Sequence, residues 1–245
     1  MNKVAKVTAL FWVIKILATT IGETGGDAFS MTLNLGYALS TLIFLAVFCV
    51  VLAIQISSER FHPFAYWAVV VATTTVGTTL SDYFDRTLEF GYVKSSVILF
   101  CGVVAVLFVW NRVEGHIEFE KITNRKAEGF YWLTILVSNT LGTALGDYVA
   151  STACFGFERG ALIFAALLAL VATLHFLLKR IPPAILFWAA YVLTRPLGAT
   201  LGDLLTKSRA EGGLAQGRIL STLIIGGLMI VAIILASRRE RAAEN

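Results

Sequence analysis

The sequence predicts an all-α integral membrane protein with eight transmembrane helices, built from four tandem parallel two-helix repeats. The first observation behind this prediction is composition: of the 245 residues, 57% are hydrophobic and only 15% are charged. Mean hydropathy is +0.78, which is typical of membrane proteins rather than of soluble domains. The second observation is the number of apolar stretches, and the third is a tryptophan–aspartate spacing that occurs four times.

Eight stretches each supply about 20 mostly apolar residues, the length that crosses a bilayer as a helix. The first follows Lys3 and Lys6 but lacks an A-x-A cleavage site, so we expect a retained span rather than a cleaved signal peptide. The longest connector, 112–129, is charged and is expected to be a cytoplasmic loop. The predicted spans are 7–27, 35–55, 64–84, 92–111, 130–150, 157–178, 184–204 and 217–237.

Four of the five tryptophans are followed, 15 residues later, by one of only five aspartates in the chain. Because aspartate is rare in this chain, its recurrence at one fixed distance from tryptophan indicates that a sequence segment has been duplicated. The segments align without gaps as W-x9-G-x3-[GS]-D-x4-[ST]-x3-G. We predict one transmembrane domain, 1–245, with repeats at 4–56, 60–111, 126–179 and 181–238. The pairs are Trp12/Asp27, Trp67/Asp82, Trp132/Asp147 and Trp188/Asp203.

Each repeat contains two spans, so every copy enters the membrane from the same side and the repeats are parallel. Four helical hairpins with the motif helices around one centre would satisfy this pattern, and two separate pairs of hairpins would satisfy it equally. Twelve Lys and Arg residues lie on the side of the two termini, among them Lys121 and Lys179, against six in the outer loops, among them Arg86 and Lys207. The positive-inside rule therefore predicts that both termini are cytoplasmic.

The small residues of the motif predict close helix packing, because two small side chains four residues apart let membrane helices approach each other. The motif tryptophans are expected to anchor the helices in an aromatic belt at the cytoplasmic interface. A second set of glycines is expected to mark the turn into the second helix of each repeat: Gly36, Gly91, Gly156 and Gly212. The packing residues are Gly22, Gly26, Gly77, Ser81, Gly142, Gly146, Gly198 and Gly202.

The motif aspartates are predicted to bind ions or protons. Fifteen helical residues rise about 22 Å, so all four aspartates should lie at one depth in the outer half of the membrane, where charges are costly and usually functional. Two like charges about 4 Å apart repel by roughly 4 kcal/mol at an effective dielectric near 20. Either some are protonated or a cation lies among them. A helix-end carboxylate in a polar vestibule is the structural alternative.

The copies differ in their other charged residues. Glu23 lies one turn before the motif aspartate, and Asp85 lies next to Arg86, so both acids are expected to assist the site. Lys15 and Arg195 lie inside apolar spans and are expected to act as counter-charges or gates. For Lys15 the alternative is that it extends to the cytoplasmic face.

Carboxylates, threonine hydroxyls and free carbonyls favour a hard cation such as Mg²⁺, Ca²⁺ or Mn²⁺, with Asp27, Asp82, Asp147 and Asp203 as the predicted metal ligands. The three histidines and the three scattered cysteines lie outside the motif, which disfavours soft metals and disulfides. Alkali ions or protons alone are the alternative cargo, because the motif defines charge and not ion size. We expect no tightly bound cofactor. The net charge of +4 follows from topology and predicts no nucleic acid. The expected partners are lipid, metal cations and protons, and the sequence is compatible with a homo-oligomer.

An enzyme is not expected, because the G-x-G-D motif of intramembrane aspartyl proteases is absent from every copy, as are other catalytic motifs. The expected function is cation transport, in the form of proton-coupled export or exchange of a divalent metal such as manganese. The alternative is a non-transporting membrane scaffold or sensor whose polar repeat layer only packs helices.

With its repeated G-x-x-x-G-D motif and eight predicted spans, the whole chain resembles a bacterial inner-membrane family described as uncharacterised or membrane-anchored. The resemblance implies a multi-pass fold in the bacterial inner membrane and implies no particular activity.

Overall fold

A computed structural model describes residues 3–117, 122, 124–178 and 180–244. Lys121 and Lys179, which the charge count places on the cytoplasmic side, lie outside the described residues, as does part of the 112–129 connector.

The described residues are all-helical and form eight long α-helices, one for each predicted span. Six of them (α2, α3, α4, α6, α7 and α8) are long and apolar enough to cross a membrane, which indicates a membrane protein. The other two, α1 and α5, contain more polar side chains, and most of these face the protein interior. The helices are α1 Ala9–Asp27, α2 Gly36–Ser57, α3 Pro63–Asp82, α4 Tyr92–Glu114, α5 Arg125–Asp147, α6 Gly156–Leu177, α7 Pro183–Thr206 and α8 Arg218–Glu244.

The turn that follows each motif aspartate is also repeated. α1, α3 and α5 end at the aspartate and continue into π-helical turns at Ala28–Thr32, Tyr83–Thr87 and Tyr148–Thr152. Repeat four departs from this, because α7 continues through Pro196 to Thr206 and a short 3₁₀ turn follows at Arg209–Glu211. The predicted turn glycines are confirmed, since all four have the positive φ that favours glycine. Their φ values are 74° at Gly36, 76° at Gly91, 75° at Gly156 and 86° at Gly212.

The four motif helices pack into a closed ring, α1 on α3, α3 on α5, α5 on α7 and α7 on α1. The same repeat positions meet at every junction, so neighbouring helices are parallel and the ring has approximate fourfold symmetry. The central cluster of motif helices is therefore present, and two separate pairs of hairpins are excluded. The first motif glycine lies against the next helix at Gly22–Thr74, Gly77–Asn139, Gly142–Arg195 and Gly198–Thr19.

The second helix of each repeat does not form the hairpin that the sequence suggested. Instead α2 packs on α3, α4 on α5, α6 on α7 and α8 on α1, so each outer helix covers the motif helix of the next repeat. The two helices of repeat one meet chiefly through the turn Ala28–Thr32. The hairpin prediction was wrong because hydropathy identifies a lipid-facing helix but does not say which side of the ring it joins.

Three of the four motif tryptophans lie inside the protein, and Trp12 is half-buried. Trp67, Trp132 and Trp188 are only 3%, 2% and 4% exposed, so the prediction of an interfacial belt was wrong for them. Neighbouring ring helices and outer helices cover the indoles, which pack with the aromatic residues before them. This aromatic cluster closes the end of the ring opposite the aspartates and comprises Phe11, Tyr66, Trp67, Tyr131, Trp132, Phe187 and Trp188.

Candidate functional site

The four motif aspartates lie at the far end of the ring from the aromatic cluster. All are buried, with 1% to 2% of their surface exposed. Three of them are the last residues of their α-helices, and the fourth lies one turn before the end of α7. We call these four residues the acid layer: Asp27, Asp82, Asp147 and Asp203.

Arg86 bridges the two aspartates of repeats two and three. Its Nε lies 2.9 Å from Asp82 Oδ1, and its Nη2 lies 3.2 Å from Asp147 Oδ2. Nη1 also donates to the Tyr37 hydroxyl at 3.4 Å. The guanidinium therefore joins α3 to α5 through two different nitrogens.

Lys207 bridges the two aspartates of repeats four and one. Its Nζ lies 3.0 Å from Asp27 Oδ2 and 3.2 Å from Asp203 Oδ1. Arg218 Nε approaches the same oxygen of Asp27 at 3.5 Å. Two basic side chains thus divide the acid layer into two pairs, and the approximate fourfold symmetry is reduced to twofold.

Sequence reasoning missed both bridging cations, because it counted Arg86 and Lys207 as charges of outer loops. Each lies four residues after a motif aspartate, at the same repeat position, where repeats one and three have Met31 and Ser151. Side chains four residues apart face each other on a helix, so the gapless repeat alignment contained the signal.

Arg195 reaches from repeat four to the other three repeats. Its Nη2 donates to Glu23 Oε2 at 3.0 Å, to Thr78 Oγ1 at 2.5 Å and to Thr143 Oγ1 at 2.7 Å. These three residues occupy one repeat position, where repeat four has the small Ala199. The fully buried guanidinium therefore lies at the centre of the ring, one layer below the acid layer.

Glu23, Asp27 and Asp203 form a carboxylate trio, the one group of its kind in the described part of the chain. Each offers an oxygen, and these oxygens lie within 4.8 Å of one another. A cation with oxygen ligands at about 2.0–2.6 Å could bridge such a set. Of the four predicted metal ligands, Asp27 and Asp203 belong to the trio, whereas Asp82 and Asp147 converge on Arg86.

Some buried polar atoms in this region have no hydrogen-bond partner among the described residues, including Asp27 Oδ1 and the Nε and Nη1 atoms of Arg195. An unsatisfied buried polar group costs about 1–3 kcal/mol, so such atoms are where water or an ion gains most by binding.

The two remaining predicted charges lie apart from the trio. Lys15 is fully buried, donates to Asn139 Oδ1 at 3.2 Å, and places Nζ 4.1 Å from the centre of the Tyr191 ring. It does not extend to the surface, so that alternative is wrong. Asp85 accepts hydrogen bonds from Ser81, at 3.2 Å, and from Ser95, and it joins the turn after α3 to α4.

The acid layer is reached from outside through a cavity of about 250 Å³, which we call the vestibule. Hydrogen bonds from the Ser208 hydroxyl and backbone N–H hold the pKa of the exposed Glu211 carboxyl below its usual range, so this rim residue is anionic at neutral pH. The lining residues include Arg86, Asp147, Ser151, Asp203, Lys207 and Glu211.

The opposite end of the ring is closed by the aromatic cluster and by the N-terminal segment. Tyr66 and Tyr131 hydroxyls are hydrogen-bonded at 2.5 Å. Lys3 Nζ lies 3.0 Å from Glu128 Oε2 and donates to the Ile56 carbonyl at 2.8 Å. Among the described residues, the acid layer is therefore open on the side of the vestibule and covered on the side of the aromatic cluster.

Four segments of the chain, residues 10–61, 65–116, 130–180 and 186–242, match the family described as Repeat of Unknown Function (DUF347). The matches cover most of the 245 residues, and the chain belongs to this family. They confirm the predicted fourfold repeat. No curated protein and no solved structure matches the chain.

Proposed function

We propose that this member of the repeat family is a cation transporter that exports or exchanges a divalent metal such as manganese, coupled to protons. One observation carries the proposal: Glu23, Asp27 and Asp203 converge inside an apolar bundle, and the ammonium of Lys207 pairs with the two aspartates. Buried carboxylates are costly unless they are paired. Here the pairing group for two of them is a flexible side chain beside an open vestibule, so a cation from solution can take its place.

The proposed topology is eight membrane crossings with both termini in the cytoplasm of a bacterial inner membrane. The polar residues of α1 and α5 support crossing by these two helices, because the ring shields them from lipid. The excess of Lys and Arg on the side of the termini supports the orientation. The aromatic cluster then faces the cytoplasm and the vestibule faces outward.

The donor atoms around the trio support a hard cation as cargo. The Thr78 hydroxyl lies next to the Glu23 carboxylate, and the Thr143 hydroxyl accepts a hydrogen bond from Arg195. Oxygen atoms therefore predominate among the possible ligands, as Mg²⁺, Ca²⁺ and Mn²⁺ require. The three cysteines are exposed, and none belongs to the carboxylate trio, so a soft metal would find no thiolate in it.

Coupling to protons follows from charge balance in this proposal. When a cation leaves the trio, its carboxylates either pair again with Lys207 or take up a proton, because like charges this close cannot all stay ionised in a buried site. A cycle that alternates cation and proton on the same acids exchanges one for the other. Release to the opposite side requires the aromatic cluster to open.

The proposal is tested by the metal content and metal sensitivity of cells that lack or overproduce the protein, across Mn, Mg, Ca, Co, Ni, Zn and Cu. Wild type is compared with Asp27→Asn and Asp203→Asn at equal expression. Glu158→Gln is the matched control, because this exposed acid begins α6 outside the ring. A change in one metal that both Asn variants abolish and the control retains would support transport. No metal effect, with Asn variants that assemble poorly, would favour the scaffold alternative.

A further inference from the structure

We infer that the transported cation binds in one half of the acid layer, at the carboxylate trio, and that Lys207 is a tethered competitor for this site, whereas Arg86 permanently clamps the other half. This inference rests on the proposed function and names the residues that bind the cargo and the residue that regulates binding. Three differences support it, all between Arg86 and Lys207 and their surroundings, which occupy equivalent positions in the repeat.

The first difference is the number of carboxylates. In the half bridged by Lys207, Glu23 adds a third carboxylate to Asp27 and Asp203, with ligand oxygens within 4.8 Å of one another. In the half bridged by Arg86, the residues equivalent to Glu23 are Thr78 and Thr143. The second half therefore offers two carboxylates, and both contact one guanidinium. The trio offers three, which contact Lys207, Arg195 and Arg218.

The second difference is the chemistry of the bridging group. Arg86 contacts Asp82 and Asp147 through two nitrogens of a rigid planar group that stays charged at any physiological pH. A cation from solution would have to break both contacts together. Lys207 contacts Asp27 and Asp203 through a single Nζ on a flexible stem, and an ammonium is a compact charge that resembles a free cation.

The third difference is the backbone that carries each cation. Arg86 lies within the π-helical turn Tyr83–Thr87. Both side chains line the vestibule, but Lys207 follows the end of α7 in an extended conformation, with φ −68° and ψ 158°. Its carbonyl accepts a hydrogen bond from Ala215 N at 2.9 Å, which fixes its backbone. The side chain can therefore leave the trio for the vestibule, which Glu211 also lines, without any movement of α7.

An independent observation indicates that the trio has more capacity than Lys207 uses. Asp27 is 1% exposed, and its Oδ1 has no hydrogen-bond partner among the residues that the structure describes. An ammonium that contacts only Oδ2 leaves this acceptor unsatisfied, at a cost of about 1–3 kcal/mol. A metal ion with several oxygen ligands could use both oxygens.

Tethering makes Lys207 a strong competitor, because the effective concentration of a group on a short flexible tether is in the millimolar range or higher. Removing the ammonium should therefore tighten cation binding by at least about tenfold, which corresponds to about 1.4 kcal/mol. Lys207→Met removes the charge and keeps much of the apolar stem. Lys207→Arg should weaken binding, because it reproduces the clamp of the other half.

The experiment measures equilibrium binding of Mn²⁺ to the purified full-length protein in lipid nanodiscs, by electron paramagnetic resonance of free Mn²⁺. We expect Lys207→Met to bind at least tenfold more tightly than wild type, and Lys207→Met/Asp27→Asn to lose this gain. Lys94→Met is the matched control, because this exposed lysine of α4 lies outside the acid layer, and it should leave affinity unchanged. A cooperative thermal unfolding transition verifies that each variant is folded. If Lys207→Met does not fold, Lys207→Gln replaces it as the variant without the ammonium.

Several results would overturn the inference. One is a folded Lys207→Met protein that binds Mn²⁺ no more tightly than wild type, and another is a gain of equal size from Lys94→Met. Because binding is measured without a gradient, the outcome is independent of transport. Tight binding by Lys207→Met without metal movement across vesicles would leave this inference standing and remove the proposed function. Metal transport by wild type, together with unchanged Mn²⁺ affinity in Lys207→Met, would support the proposed function and contradict this inference.

Discussion

Arg195 Nη2 lies 3.0 Å from Glu23 Oε2, and this ion pair joins the last repeat to the first at the centre of the ring. Both residues are buried, at 0% and 3% exposure. The same nitrogen reaches Thr78 and Thr143 of the two intervening repeats. A single side chain thus connects all four ring helices directly below the acid layer.

Removing Arg195 should destabilise the protein strongly. Arg195→Met leaves Glu23 without its cation, and breaking one partner of a buried ion pair typically costs about 3–5 kcal/mol. Adding Glu23→Gln should restore much of the loss, because it removes the uncompensated charge. The measurement is a double-mutant cycle on thermal or chemical unfolding. A double variant no more stable than Arg195→Met alone would show that the ion pair is not the source of the effect.

Lys15 should behave in the opposite way, although it is equally buried. In the described part of the chain its contacts are the Asn139 amide oxygen and the Tyr191 ring, with no carboxylate at ion-pair distance. Lys15→Met therefore strands no charge, and the lost hydrogen bond of about 1 kcal/mol is offset by the removal of a buried ammonium. We expect the free energy of unfolding of Lys15→Met to lie within about 1 kcal/mol of the wild-type value. A loss as large as that of Arg195→Met would show that Lys15 has a structural role that these contacts do not explain.

The motif glycines should tolerate no side chain. A Cβ at Gly22 would run into the Thr74 side chain and approach its backbone carbon at 2.9 Å, and a Cβ at Gly198 would meet Thr19 in the same way. Gly22→Ala and Gly198→Ala should each destabilise the ring by about 1–3 kcal/mol, as overpacking usually does. Gly227→Ala in α8 is the control, because nothing lies within 4 Å of its Cβ. Equal unfolding temperatures for all three variants would contradict the packing account.

Glu211 should speed cation entry through its charge. The Ser208 hydrogen bonds lower the pKa of Glu211. As pH falls, the carboxylate therefore keeps its charge through the range in which a free glutamate takes up a proton, and it loses the charge only below that range. Glu211→Gln should therefore slow Mn²⁺ association several-fold at low ionic strength, with little effect at high salt. The ratio between variant and wild type should be constant from pH 6 to 8, measured by stopped-flow. A ratio that changes across this range, or is unaffected by salt, would assign the effect to another group.

The repeat allowed much of the architecture to be predicted. Because Trp12 and Asp27 recur at one offset, the sequence predicted four copies, one depth for the aspartates and a turn at Gly36 and its equivalents. Hydropathy could not predict that α2 covers α3, since a lipid-facing helix packs equally well on either side of a ring helix. The belt prediction failed at Trp67, Trp132 and Trp188 because neighbouring helices bury them.

The sequence was less informative about which basic side chain pairs with which aspartates in the acid layer. Arg86 and Lys207 follow the motif by four residues, so alignment could have identified them, yet their positive charge alone also fitted an outer loop. That Arg86 reaches Asp147 and Lys207 reaches Asp27 depends on which repeats are neighbours in the ring, which only the fold determines.

The most direct test of cation transport is Mn²⁺-driven proton movement in vesicles of the purified protein, followed with a pH-sensitive dye inside and a Mn²⁺ indicator outside. The account predicts that an inward Mn²⁺ gradient moves protons outward in proportion to Mn²⁺ uptake. Asp203→Asn should abolish both signals, and Glu158→Gln should preserve both. Folded wild-type protein that moves neither ion, or Asp203→Asn protein that moves both at the wild-type rate, would contradict a transport site at this carboxylate.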